Sequence, residues 1–154
     1  MGMDIAIVLH VFFVVVWVGG MFFAHQCLRP VAAAQLEPPL RLRLWVGVFG
    51  RFFPWVWAAI VLVPASGLFM MLGPLGGFAH LPLYIHAMFG LGLVMVGVFL
   101  RVFFSPYPAL RKAVAAGDWP AGAAQLARIR RLVGINTLLG TLTLAIGAGG
   151  RYFG

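Results

Sequence analysis

The sequence predicts an all-α integral membrane protein, a four-helix bundle, and three observations carry that prediction. Of its 154 residues 63% are hydrophobic and only 9% charged, with a mean hydropathy of +1.04. Uncharged runs of membrane-crossing length recur along the chain, and the basic residues collect between them. A soluble domain of this size still leaves roughly 30% of its unfolded-chain surface exposed, so it has nowhere to hide so much apolar area. A soluble enzyme and a disordered chain are both excluded.

Each span is justified by its own run. Ile5 to Leu28 is 24 residues without Asp, Glu, Lys or Arg. A cleaved signal peptide is the poorer account of it, because its start carries Asp4 rather than a base and its length exceeds the usual apolar region of roughly 7–15 residues. Phe52 to Leu100 gives 49 such residues, broken by Gly73-Pro74-Leu75-Gly76-Gly77 and by Pro82, and Leu132 to Gly150 gives a final 19. A crossing takes about 20 apolar residues. The single transmembrane domain, 1–154, therefore holds spans near 5–27, 53–72, 83–104 and 132–150, with loops 28–52 and 105–131.

The loops set the direction. The first carries Arg29, Arg41, Arg43 and Arg51 against Glu37, and the second carries Arg111, Lys112, Arg128, Arg130 and Arg131 against Asp118. Basic loops stay in the cytoplasm. Both loops are thus cytoplasmic, both termini face the outer, periplasmic side, and the expected location is a bacterial inner membrane. A net charge of +8 spread in this way fits anionic lipid headgroups rather than nucleic acid. The one cysteine, Cys27, excludes an intrachain disulfide and any cysteine-built zinc or iron–sulfur site. Within the loops, Pro38 to Trp45 alternates base and apolar residue at an interfacial position. Pro108 to Ala116 reads as a short surface helix. Asp118-Trp119-Pro120 reads as an N-cap with Pro in the first turn, running through Gln125 to Arg131 into the last span.

Polar groups inside a bilayer are costly and mark candidate sites. They are His10, His25, His86 and Asn136, with His80 in the outer turn. His10 and His86 lie on parallel helices roughly 5–8 Å below the outer boundary, where two imidazoles can serve one metal centre. The His10 stripe continues through Val14, Trp17 and Met21, and the His86 stripe through Gly90, Leu93 and Gly97. Glycine beneath one ligand and aromatics beneath the other leave the gap that a flat macrocycle needs, although such glycines also serve helix packing. Arg151 and His80 are the cations nearest to where propionates would emerge. His25 has no partner histidine at its depth, and Asn136 is expected to bond between helices, with Arg101 as a partner. There is no intramembrane carboxylate pair for acid–base chemistry.

The first span, His10-Val11-Phe12-Phe13-Val14-Val15-Val16-Trp17-Val18-Gly19-Gly20-Met21-Phe22-Phe23, resembles the opening helix of the CopD-like and HemJ-like membrane families. The likeness continues through Arg51-Phe52-Phe53, Ser66-Gly67 and Arg131 to Asn136. It implies a four-helix membrane fold and functional histidines at His10 and His86. HemJ-type proteins are haem-associated and linked to protoporphyrinogen oxidation, and CopD-type proteins are linked to copper handling. Gln26 stands where the HemJ type has Arg, and Met88 where its third helix has Lys. The resemblance therefore does not carry that oxidase activity to this chain.

Two readings follow. The first is a haem b protein with an electron-transfer or oxidoreductase role, its iron held by His10 and His86, within one chain or between the two of a homodimer. Trp17, Phe13, Gly90, Gly97 and Met88 would shape the pocket, with His80 and His25 as weaker ligands. A quinone or other redox partner is left open. The alternative is copper handling by outer-side soft ligands, Met1, Met3, Met70, Met71, His80, His86 and Met88, since thioethers and imidazoles suit Cu(I). Haem binding should depend on His10 and His86, and copper binding on the methionines.

Overall fold

The computed structural model describes residues 2–73 and 75–152, the side chain of Arg151 excepted. Among them there are helices and turns and no strand. Four helical stretches are long and apolar enough to cross a membrane: Gly2–Gln35, Pro38–Leu72, Leu83–Ala115 and Trp119–Gly149. We label the helices α1 (Gly2–Gln35), α2 (Pro38–Leu72), α3 (Leu83–Phe104), α4 (Pro106–Ala115) and α5 (Trp119–Gly149). The protein is a multi-pass membrane protein.

The helices extend well past the spans at the arginine-rich end, and most of the segment expected as the loop 28–52 is helical. Only Leu36 and Glu37 interrupt it, with extended backbone before the Pro38-Pro39 pair that opens α2. A proline lacks the N–H that a first turn does not need, so the pair starts a helix there at no cost. From that start Leu42, Trp45, Phe49, Phe53, Val56 and Ile60 are buried in succession. Their spacing is that of one helical face. The alternation of base and apolar residue noted above is the edge of this stripe, with Arg41 and Arg43 flanking Leu42. At 35 residues α2 is about 52 Å long, against a hydrocarbon thickness of about 30 Å.

The overhang is packed. Tyr107, Leu110 and Ala113 of the amphipathic α4 are buried, as are Leu126 and Ile129 of α5 and Leu42 of α2. Gly122 lets Leu42 and Ala113 close on α5, since a Cβ there would stand 3.1 Å from Leu42 Cδ1. Asp118 caps α5 as expected, its carboxylate accepting from the Ala121 N–H at 3.0 Å. Below this layer runs an aromatic column in which Phe49 and Phe53 stack at 5.1 Å and Tyr107 and Phe99 meet Phe53 edge-on at 4.8 and 5.4 Å.

Towards the terminal end the bundle loosens into two hairpin pairs, α1 with α2 and α3 with α5. α1 is not a uniform α-helix, for Val15–Gly19 and Phe23–Leu28 are wound as π-helix. Its first half packs on α2. Its second half comes also against α5, where His25 lies 3.3 Å from the position a Gly134 Cβ would take.

Candidate functional site

The two pairs diverge around a cavity of about 620 Å³ in the terminal half of the bundle. α1 contributes His10, Val14 and Trp17, and α2 contributes Gly67, Met70 and Met71. α3 contributes Tyr84, Met88, Gly92 and Met95, and α5 contributes Gly140, Thr143 and Gly147. The α5 residues recur at helical spacing and are small. Their backbone recedes and the long side chains of α3 lie over it, the Met88 Cε and Sδ 2.8 and 3.2 Å from where a Gly147 Cβ would be.

His10 is the one imidazole on this wall. Its Nδ1 lies 3.0 Å from the hydroxyl of Ser66. That hydroxyl has a single proton, and it faces the backbone carbonyls of Leu62 and Val63 at 2.5 and 3.1 Å. A serine in a helix that bonds back to the preceding turn has given its proton away. Its oxygen is therefore an acceptor towards His10, so Nδ1 carries the imidazole proton and Nε2 keeps a free lone pair. A ring held by its other nitrogen in this way is oriented for ligation. Gly67 supplies the room, because a Cβ there would touch His10 Cε1 at 3.4 Å.

The other predicted residues are distributed differently. Trp17 is 3% exposed and borders this cavity and a second one below it. Phe13 packs against the core and does not line the cavity. His86 is also absent from the lining; its Nδ1–H donates to the Pro82 carbonyl at 3.3 Å and its ring lies 6.1 Å from that of Phe78. Of its stripe Leu93 lines the cavity, whereas Gly90 and Gly97 are exposed and do not, with nothing within 4 Å of a Cβ added at either glycine. The expected pairing of His10 with His86 in one cavity is thus not formed within the chain. α3 presents Ile85, Met88, Gly92 and Met95 instead, a face about 100° round the helix from His86.

His80 is exposed in the turn Phe78–His80. His25 sits at the opposite end, within the electrostatic reach of Arg29 and Arg130. Asn136 does bond between helices, but to the Met95 carbonyl at 3.3 Å and towards Met21 Sδ at 3.7 Å, not to Arg101, which is exposed. Met3 does not line the cavity. Met1 and the Arg151 side chain lie outside the described residues. No group of three or more His, Cys, Asp or Glu side chains able to hold a metal occurs among the described residues.

Ser66, Met95, Gly140 and Gly147 were not singled out as site residues from sequence. The signal for the two glycines was present, seven residues apart on an apolar helix, and Ser66-Gly67 is a polar-small pair inside a span.

Four crossing helices around a cavity with one imidazole and several thioethers define a multi-pass membrane protein with a soft-ligand pocket. The copper resistance protein D family model matches residues 46–149, and the chain belongs to that family. The match covers Ser66, Met70, Met71 and Met88 and begins after His10 and Trp17. No curated protein and no solved structure matches the sequence. Of the two cofactors expected from sequence, copper is the one to which the family points, and nothing in the comparisons supports haem b.

Proposed function

We propose that the protein handles copper as Cu(I) in a bacterial inner membrane, with both termini on the periplasmic side and the cavity open to copper arriving there. The observation that carries the reading is that one cavity is lined by His10, its Nδ1 beside the Ser66 hydroxyl, and by Met70, Met71 and Met88. Copper is the cargo. Cu(I) prefers soft sulfur and imidazole donors and needs no carboxylate, which suits a cavity whose ligands are neutral. The arginines at the other end serve topology and anionic headgroups.

The test is Cu(I) affinity of the purified protein under anaerobic conditions, by competition with a chromogenic Cu(I) chelator. His10→Ala, Met88→Leu and the double variant Met70→Leu/Met71→Leu are each expected to weaken binding tenfold or more, and His80→Ala and His86→Ala to leave it unchanged. Wild-type affinity in the first three variants overturns the reading. A Soret band in the purified protein that disappears in both His10→Ala and His86→Ala would restore haem in its place.

A further inference from the structure

At the arginine-rich end, guanidinium groups from three helices converge and no carboxylate answers them. His25 of α1 rests on α5 at Gly134, its Cε1 3.3 Å from where a Cβ would stand there. Arg29 follows His25 by about one turn, and Arg130 precedes Gly134 by one turn. α1 and α5 run antiparallel, so that contact sets the two arginines opposite each other on the same side of it. Arg41 of α2 completes the group: Arg130 lies within the electrostatic reach of Arg29 and Arg41, and His25 within that of Arg29 and Arg130. Arg41 and Arg130 are half-buried. Among the described residues none of the three makes a hydrogen bond or an ion pair. By contrast Arg43 lies over the ring of Trp119 and Arg111 over that of Tyr107. Of the two acids at this end, Glu37 and Asp118, the second is taken by the α5 cap.

We propose that Arg29, Arg41 and Arg130 together hold one phosphate group, that of an anionic phospholipid. Like charges gathered without a counter-ion repel, and partial burial weakens the screening between them. An anion seated among them turns that repulsion into attraction. Guanidinium forks match phosphate oxygens two at a time, and forks reaching in from three helices surround a single tetrahedral group. The source of the phosphate is a lipid, because apolar surface for acyl chains adjoins the cluster. Phe22 and Phe23 of α1 and Ile135 and Leu138 of α5 are exposed within about two turns of it, towards the middle of the bundle. Basic pockets between helices at a membrane boundary are suited to such headgroups. The proposal rests on the reading that this end meets anionic headgroups and narrows it to one site; it does not depend on copper.

The test titrates dioctanoyl phosphatidylglycerol and dioctanoyl phosphatidylcholine into delipidated protein in a neutral detergent, with bound lipid counted by native mass spectrometry. Wild type is expected to hold one phosphatidylglycerol about tenfold or more tightly than phosphatidylcholine. Arg29→Gln, Arg41→Gln and Arg130→Gln should each remove most of that preference. Arg128→Gln and Arg131→Gln delete the same charge from exposed positions on α5 and should leave it intact. An equal loss in those controls overturns the site and leaves only a diffuse attraction to anionic headgroups. No preference in wild type overturns the site and that general reading together. Inorganic phosphate in large excess should not displace the lipid, and displacement would overturn the lipid as the source. Each cluster variant loses only repulsion in the absence of lipid, so its unfolding midpoint there should equal or exceed that of wild type. A fall in all three would make these arginines packing residues and overturn the proposal. The Cu(I) affinity of the three variants should remain that of wild type.

Discussion

Gly140 shows how tightly single atoms govern the terminal half of this bundle. A Cβ at that position would lie 2.9 Å from Val18 Cγ2 and 3.1 Å from Met95 Cε. Val18 is β-branched and stiff at χ1, so it has little room to yield. Gly140→Ala is expected to cost about 1–3 kcal/mol through overpacking, lowering the midpoint of thermal unfolding in detergent. Gly47→Ala is the control, with nothing within 4 Å of the new Cβ. It should match or exceed wild type, by up to about 1 kcal/mol from helix propensity. An unchanged midpoint for Gly140→Ala would mean that α1, α3 and α5 do not close there. Ser66 gives the second prediction at this scale. Ser66→Ala removes the partner of His10 Nδ1 without touching any thioether, and loss of such an orienting group typically costs 10–100-fold in metal affinity. Chelator competition should show a loss of about tenfold or more; wild-type affinity would remove Ser66 from the site.

At the scale of elements, α1 is the decisive helix. A π-helical turn holds one residue more than the α-turn it replaces, so it rotates everything on one side of it relative to the other. Val15–Gly19 lies between His10 and Met21, which sets the face His10 turns to α2 separately from the face that Met21 turns to Asn136. Inserting one alanine between Val11 and Phe12, within the α-wound part, should swing Gly2–Val11 by about 100° about the helix axis, whereas deleting Val16 should restore α-winding and leave the faces in place. Cu(I) binding should be lost in the insertion variant and kept in the deletion variant, with helical content and elution unchanged in both. Retention of full affinity by the insertion variant would show that His10 does not need this register. The π-turn was not legible in the apolar run because nothing in Val14 to Val18 distinguishes the two windings. The long start of α2 was legible in principle: Leu42, Trp45 and Phe49 already follow the helical period. The alternation of Arg41 and Arg43 with leucine masks it, because a narrow stripe with a base on either side reads locally as period two.

Across the whole molecule, packing is dense at the arginine-rich end and open at the other. Trp45, Phe49, Tyr107, Leu110, Leu126 and Ile129 are all buried in the former, and the large cavity occupies the latter. Cys27 is exposed near the arginine-rich end of α1 and is the one cysteine of the chain. A membrane-impermeant maleimide is therefore expected to label inverted vesicles and spare right-side-out cells. The opposite pattern would reverse the proposed orientation. The homodimer we expect would use the exposed Gly90–Gly97 face of α3, since close backbone approach drives helix association in membranes. A Cβ at Gly97 has nothing within 4 Å of it in the chain, so Gly97→Phe should convert dimer to monomer in crosslinking without loss of stability. Crosslinking unchanged by Gly97→Phe would place any dimer contact elsewhere.

Sequence alone determined the class of this protein, because hydrophobic runs and their lengths are properties of composition that no tertiary contact has to complete. The four spans, the Asp118 cap and the short helix before it were all legible in that way. It could not determine which face of α3 looks inward. A helix apolar on every side carries no moment to orient it, so the stripe of His86, Gly90 and Gly97 and the stripe of Met88, Gly92 and Met95 were equally eligible. Contact with α5 decided between them, placing Met88 against Gly147 and leaving His86 beside Phe78. The same contact moved the pairing of Asn136 from Arg101 to Met95. Ligand sets belong to faces, and faces are chosen by the neighbouring helix.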